Sequence, residues 1–189
     1  MIAMKSVLMQ SLWDFVINSS GRSTPADTER NRATDAITEM KIVTRLLDIQ
    51  SNEQLQYFDV TPQVRAIIEE AGIIDGFAIV SSRHTTTALF VNEYEQRLLQ
   101  DIKGFLQRTV PADSAYLHND IHLRDCPPEE PENAHSHIMA MLMSSSEAIP
   151  VVDGALSIGQ WQSLIFVELD GPRRRSLNIQ LIGNTAKNQ

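Results

Sequence analysis

The 189-residue chain has one cysteine, Cys126, which excludes an intramolecular disulfide and, without a CxxC partner, a paired-thiol redox or metal motif. A reducing compartment is therefore expected. Basic residues are few: 16 Lys and Arg face 24 Asp and Glu, a formal net charge of -8. Such a surface repels polyphosphate backbones and anionic membranes, so any anion site must be local, and neither nucleic acid nor membrane is an expected partner. Long apolar runs are missing. Gln10, Ser11 and Asp14 interrupt Met1 to Asn18, and Lys5 is the only base before Arg22, which argues against a secretory core, a membrane span and a transit peptide and leaves the cytoplasm as the expected location. Walker A, GxGxxG, GxSxG and HExxH patterns are also absent, which sets aside the common nucleotide-binding and hydrolase classes.

What is present is a globular composition, 42% hydrophobic and 21% charged, at a length that suits one domain plus a tail. Residues 1–40 read as an extension. Val7, Leu8, Leu12, Phe15 and Val16 could share a helix face, and Ser19 to Arg32 is a polar linker bearing Gly21 and Pro25. From Lys41 the pattern becomes α+β, predicting one domain over residues 41–184 with a mixed, largely antiparallel sheet and two or three helices, then a tail over 185–189. Ile42 to Ile49 and Leu55 to Val60 read as strands joined in a hairpin through Ser51 and Asn52. Thr61 can cap a helix with Pro62 in its first turn, Val64, Ile67, Ile68 and Ala71 on one face and Gly72 as its stop. Strands follow at Gly76 to Ser81 and His84 to Asn92, a helix at Glu93 to Thr109 closed by Pro111, and an irregular acidic stretch at Asp113 to Pro131. A helix from Asn133 to about Met143 then precedes strands at Pro150 to Leu156, Gln160 to Leu169 and Arg175 to Ile182.

Four of the five histidines, His118, His122, His135 and His137, fall in one short region, and His84 opens a strand that could approach them. Two positions apart on a helix, His135 and His137 point to opposite sides, so at most one of them enters a shared site. Asn133 can cap the helix that carries them, and a helix start offers free N–H groups to phosphate. Arg173, Arg174 and Arg175 are the only basic cluster. On an extended segment Arg173 and Arg175 share a side, where they could clamp a phosphate or pair with Glu168 and Asp170. Gln162 and Glu168 lie on a strand whose two faces are otherwise apolar, so both need partners, whereas Trp161 reads as core and Cys126 as an ordinary thiol.

Five segments in this order, SSRHTTTALFVNE (Ser81–Glu93), AYLHN (Ala115–Asn119), NAHSHIMAML (Asn133–Leu142), PVVDGALSIGQWQ (Pro150–Gln162) and VELDGPRRR (Val167–Arg175), resemble the YjbQ-like family, also called the secondary thiamine-phosphate synthase family. The family's HTTA pattern falls on His84, Thr85, Thr86, Thr87 and Ala88, its tyrosine-x-histidine on Tyr116 and His118, and its NAH on Asn133 and His135. Its GTWQ becomes Gly159, Gln160, Trp161 and Gln162, with Gln160 in place of threonine. The resemblance implies a compact α+β subunit in a homotrimer and a synthase activity that joins hydroxymethylpyrimidine diphosphate to a thiazole phosphate with release of pyrophosphate. Residue chemistry and resemblance together nominate His84, His118, His135 and Glu168 for catalysis, and Thr85, Thr86, Asn92, Asn133, Gln162, Arg173 and Arg175 for substrate binding. Mg2+ could accompany the substrate. In a competing chemistry His84, His118 and His135 hold Zn2+, and the alternative function is a trimeric protein that binds a phosphorylated metabolite or metal without turnover.

Overall fold

The computed structural model describes residues 37–186. Residues 1–36, with the linker, and residues 187–189 lie outside the described residues; the first strand begins at Ile37 and the last runs to Ala186, so the strands reach four residues into what reads as the extension and two into the tail. Eight strands and three α-helices follow one another as β1 (Ile37–Gln50), β2 (Gln56–Asp59), α1 (Thr61–Ala71), β3 (Ile73–Ser82), β4 (Thr87–Asn92), α2 (Gln96–Thr109), α3 (Ala134–Met141), β5 (Ser146–Val152), β6 (Ala155–Leu156), β7 (Ser163–Glu168) and β8 (Arg174–Ala186), with two short 3₁₀ turns, Leu117–Asn119 and Ile121–Leu123, ahead of α3. The strands form two sheets, one five-stranded in the order β1-β8-β3-β5-β6 and one three-stranded in the order β2-β7-β4. The β2–β7, β3–β5, β3–β8, β4–β7 and β5–β6 pairs are all antiparallel.

Alternation along β7 explains the layering. Leu164 and Phe166 enter the core between the two sheets, where they meet Ala78 and Val80 of β3 and Leu177, Ile179 and Leu181 of β8. Ile165 and Val167 enter a second core, against Leu99 and Leu106 of α2 and Met139 of α3. The small sheet is therefore a buried middle layer, the setting in which a strand carries apolar residues on both faces. Val64, Ile68 and Ala71 of α1 join the first core.

Several local expectations need correction. Thr61 is the first residue of α1, not its cap: its Oγ1 accepts the Leu164 N–H at 2.8 Å, and Asp59 Oδ1 accepts the Thr61 N–H at 2.9 Å. Gly72 does end the helix, at a left-handed φ of 67°. β1 and β2 are no hairpin, because β1 lies beside β8 in the large sheet and β2 beside β7 in the small one, so the chain between them crosses from sheet to sheet. β4 begins at Thr87, which leaves His84 in the preceding turn, and α2 begins at Gln96 because the Glu95 carboxylate accepts the N–H groups of Arg97 and Leu98 at 2.9 and 2.8 Å. Pro150 to Leu156 is not one strand. Asp153 (φ 51°) and Gly154 (φ 77°) form the two-residue turn between β5 and β6, and an Asp-Gly pair is the sequence signal for it. Trp161, expected in the core, is 69% exposed, because β7 starts two residues after it.

Among the described residues one buried hydroxyl is unpaired. Tyr57 packs against the second core with its ring edge-on to Phe90, and its OH has no hydrogen-bond partner. Burial pushes its pKa up to about 12 from 10.0. The folded state thus holds the phenol proton more tightly than the unfolded chain, and the stability this lends is lost as pH rises from 10.0 toward about 12. Tyr57→Phe removes an unsatisfied group with little change of shape. It is expected to leave stability equal or higher at pH 7 and to flatten the alkaline part of a urea-unfolding pH profile.

Candidate functional site

The chain's polar centre lies where β7 ends and β8 begins. Glu168, the last residue of β7, is fully buried and Arg175, near the start of β8, is 8% exposed. Arg175 Nε donates to Glu168 Oε2 at 2.5 Å, and Nη2 donates to Glu168 Oε1 at 2.7 Å and to Thr86 Oγ1 at 2.9 Å. This two-pronged geometry is the strong form of an arginine–carboxylate pair. The Asp170 N–H adds a donor to Glu168 Oε1 at 2.7 Å. Beside it Arg173 meets Asp170 at 2.9 Å, with its side chain 40% exposed, and the Arg173 N–H donates to Ser51 Oγ at 2.7 Å while Ser51 N donates to Arg173 O at 3.0 Å. The loop after β1 is thereby tied to the loop after β7. Of the alternatives open for the arginine cluster, the structure takes carboxylate pairing for Arg173 and Arg175, and Arg174 turns outward to Asp48 at 3.0 Å.

The start of α3 faces the same two loops. Asn133 stands at the N-cap position, but its side chain does not cap the helix: its Nδ2 donates to Asp170 Oδ2 at 2.8 Å, and the side-chain acceptor at this helix start is Asn119, whose Oδ1 accepts the Ala134 N–H at 3.1 Å. Because Nδ2 must face the carboxylate, the amide orientation is fixed and Oδ1 is left buried without a partner. His135 Nε2 lies 2.9 Å from Gln54 Nε2. The other ring nitrogen, Nδ1, is also buried and unpaired. Ser136 Oγ donates to Leu169 O at 2.7 Å, fastening α3 to the end of β7. A cleft of about 480 Å³, lined by Asn119, His122, Arg124, Cys126 and Glu132 among others, borders this turn.

The remaining nominated residues divide by location. His84 Nε2 accepts the Ser176 N–H at 3.0 Å, which pins the imidazole to β8 next to Arg175. Burial first, and the Arg175 charge second, lower its pKa. Thr86 is within the centre and Thr85 is exposed in the adjoining turn. His118 lies on the first 3₁₀ turn with its ring edge-on to His137, centroids 4.8 Å apart. Burial and the neighbouring His118 lower the His137 pKa. The i, i+2 divergence of His135 and His137 therefore holds, each finding its own neighbour. Asn92 and Gln162 are not brought to this centre. The β4–β7 register pairs Thr87 with Glu168 and Asn92 with Ser163, which puts both residues at the far end of the sheet, about 17 Å away at ~3.3 Å per residue. There Gln162 Oε1 accepts the Gly159 N–H at 2.7 Å, and Asn92 Oδ1 accepts the Glu93 N–H at 2.8 Å.

Among the described residues no three His, Cys, Asp or Glu side chains are placed to hold one metal ion. His84, His118 and His135 instead face Ser176, His137 and Gln54. Ser51, Gln54, Asn119 and His137 also contact these residues, and none of the four is among those the sequence nominates. For Ser51 and Gln54 no sequence signal exists, since they come from the sheet-crossing loop that reads as a hairpin turn. Asn119, two residues before the 3₁₀ turn of His122 and inside a polar turn, could have been flagged as a capping residue.

Comparison with known proteins identifies the family and the fold. The family described as "UPF0047 protein YjbQ-like" matches residues 45–184. A UPF0047 protein of Methanothermobacter thermautotrophicus is 40% identical over 144 residues, 76% of this chain and 94% of its own length, and one of Archaeoglobus fulgidus is 35% identical over 72% of this chain and 98% of its own. The crystal structure of a YbjQ-like protein of unknown function from Sulfolobus solfataricus superposes with a TM-score of 0.69 at 31% identity, covering 77% of this chain and 99% of that one. A hypothetical protein from Aeropyrum pernix gives 0.68 at 35% identity over 75% and 98%. No helix among the described residues is long and apolar enough to cross a membrane. With its α+β fold, its antiparallel sheets and this extent of match, the chain belongs to the UPF0047, YjbQ-like family.

Proposed function

We propose that the protein joins a hydroxymethylpyrimidine diphosphate to a thiazole phosphate, releasing pyrophosphate. The supporting observation is the pair of unpaired buried polar atoms at the start of α3, Asn133 Oδ1 and His135 Nδ1, beside the half-exposed Arg173. Buried polar groups left without protein partners call for a ligand or ordered water, since each costs about 1–3 kcal/mol if left unmade. In the reaction the bond between the pyrimidine's methylene carbon and the diphosphate oxygen breaks, pyrophosphate leaves with the electron pair, and the thiazole nitrogen lone pair forms the new C–N bond. Arg173 offers a cation to the departing oxygens, and holding both substrates in line supplies the rest. His118 and His137, at the edge of the centre, are the imidazoles free to handle a proton. Mg2+ would enter with the diphosphate, because Glu168 and Asp170 are already engaged by arginines.

The exposed outer face of the large sheet supports a homotrimer. Met40, Ile42 and Leu46 of β1, Phe77 of β3 and Val152 of β5 are each about half or more exposed in one subunit, and a contiguous exposed apolar face of this kind marks an interaction surface. A second reading, binding of a phosphorylated metabolite without turnover, is favoured by the neutralisation of Arg175, which removes one cation that pyrophosphate departure would use. Pyrophosphate release by the full-length chain with both substrates and Mg2+ tests the choice. The expected result is turnover that falls about 100-fold or more in His135→Ala, the scale seen when one positioned polar group is lost. Saturable uptake of either substrate with no pyrophosphate would select binding alone.

A further inference from the structure

We infer that His84 is a positioning residue that works only while its ring is neutral: the imidazole stands in for a backbone carbonyl at the end of the β3–β8 ladder, and its protonation unlatches the turn before β4 from β8. The inference concerns the frame around Arg175 and holds whatever that corner binds.

The ladder is one acceptor short there. The β3–β8 pairing ends at Ser82 opposite Leu177. Ser82 N–H points the other way, donating to Ser145 O at 2.8 Å, and successive residues of an antiparallel strand face alternate neighbours. Arg83 would therefore supply the next carbonyl to Ser176, but β3 ends at Ser82 and the chain turns away. His84 Nε2 takes that position and accepts the Ser176 N–H at 3.0 Å. A backbone N–H can only donate, so this partner fixes the tautomer: Nε2 carries the lone pair and Nδ1 the proton.

The ring is aimed by its own turn. His84 N donates to Ser82 Oγ at 3.2 Å, and His84 O accepts from Thr87 Oγ1 at 3.4 Å. Two residues on, Thr86 Oγ1 accepts Arg175 Nη2 at 2.9 Å, and Thr86 O accepts the Leu169 N–H at 3.1 Å. The turn is thus joined to adjacent residues of β8, Arg175 through a hydroxyl and Ser176 through an imidazole. Only the second joint titrates near neutrality.

An added proton makes Nε2 a donor facing another donor and sets a cation beside the Arg175 guanidinium. The charged groups around the ring are Arg175 on β8, Glu168 at the end of β7 and Arg83 in the turn itself. The one carboxylate among them is already held by Arg175 at both oxygens. Burial first, then Arg175, lower the His84 pKa from 6.5 against the opposing pull of Glu168. The stability lent by the neutral ring is therefore complete above 6.5 and is lost as pH falls from there toward the lowered folded-state value.

Nuclear magnetic resonance on the full-length protein, with no ligand present, tests this. The chemical shifts of the ring nitrogens report the tautomer, and hydrogen exchange relative to an unstructured chain reports protection of the Ser176 amide. Between about pH 8 and about pH 5, where an imidazole titrates, Ser176 protection is expected to fall about tenfold or more, the scale of one lost hydrogen bond. The Ile179 amide, deeper in β8, is expected to change less than about twofold, as local opening requires. In His84→Gln, whose side chain has no proton to gain, Ser176 protection is expected to vary less than about twofold over the same range. A ring proton on Nε2 at neutral pH would overturn the inference, and so would unchanged Ser176 protection across the titration. A parallel loss at Ile179 overturns it too, because the whole sheet is then opening, as does a pH dependence that survives in His84→Gln. The wild-type titration decides the matter even if the variant does not fold, and none of these outcomes bears on pyrophosphate release.

Discussion

Arg175→Met is expected to lower unfolding stability by about 3–5 kcal/mol, the cost of stranding one partner of a buried ion pair. Glu168 is fully buried and would keep only the Asp170 N–H at 2.7 Å and the distant Ser51 hydroxyl at 3.5 Å as donors. A carboxylate in that position must either protonate or drag water into the end of the sandwich. The companion variant isolates the cause. In Arg175→Met with Glu168→Leu both charges are gone, and most of the loss is expected to return, because apolar replacement of a complete buried pair is often neutral or better. Urea denaturation of both variants, with the m-value followed to confirm cooperative unfolding, measures the difference. If the double variant is no more stable than the single one, the pair's hydrogen bonds to Thr86 and Asp170 are the dominant contribution and its charge is secondary.

Gly171→Ala is the second large effect. A Cβ there would lie 2.5 Å from Glu53 O, 2.8 Å from Ser51 Oγ and 2.9 Å from Glu168 Cγ, and two of those three neighbours are rooted in the sheet-crossing loop. Overpacking of this kind costs about 1–3 kcal/mol. The consequence that separates it from a generic core defect is local. Moving the 51–54 loop away displaces Gln54 from His135 and Ser51 from Arg173, so ligand binding is expected to fail at temperatures where the variant is still folded. Thermal unfolding together with binding of the hydroxymethylpyrimidine diphosphate at about 20 °C below the midpoint would show it. Full binding in a folded variant would mean that the loop is not part of the site.

The elements readable in the sequence are those whose information is local. α1 announces itself through Pro62, the Val64, Ile68 and Ala71 stripe and Gly72, all of which the fold uses as written. β7 is legible because two apolar faces can only belong to a middle layer, and its charged end, Glu168, required the partner that Arg175 provides. What the sequence could not show is pairing at a distance. Short strands on either side of Ser51 and Asn52 look like a hairpin, because nothing local says that one will join β8 and the other β7. The same blindness separates Asn92 and Gln162 from the centre: alternation puts them on the correct strands but is silent about which end of a strand the site occupies. Asn133 is a good cap by composition, and Asn119, brought in by the fold, takes that role and frees it for Asp170. Of the histidine cluster, the sequence nominates His118 and His135 and passes over His137, whose contact with His118 becomes visible only when the 3₁₀ turn folds over α3.

The pairing of the two arginines has a further consequence for how anything reaches this corner. Arg173 with Asp170 and Arg175 with Glu168 sum to zero formal charge, on a chain that carries -8 overall. A polyanion approaching from solution meets no long-range pull, and what it feels at a distance is the weak repulsion of the whole surface. Its encounter rate is then set by plain diffusion, and the complex gains its stability only after water has left and contacts have closed. Raising the ionic strength takes little away from such a site, and by screening the surface it even eases entry.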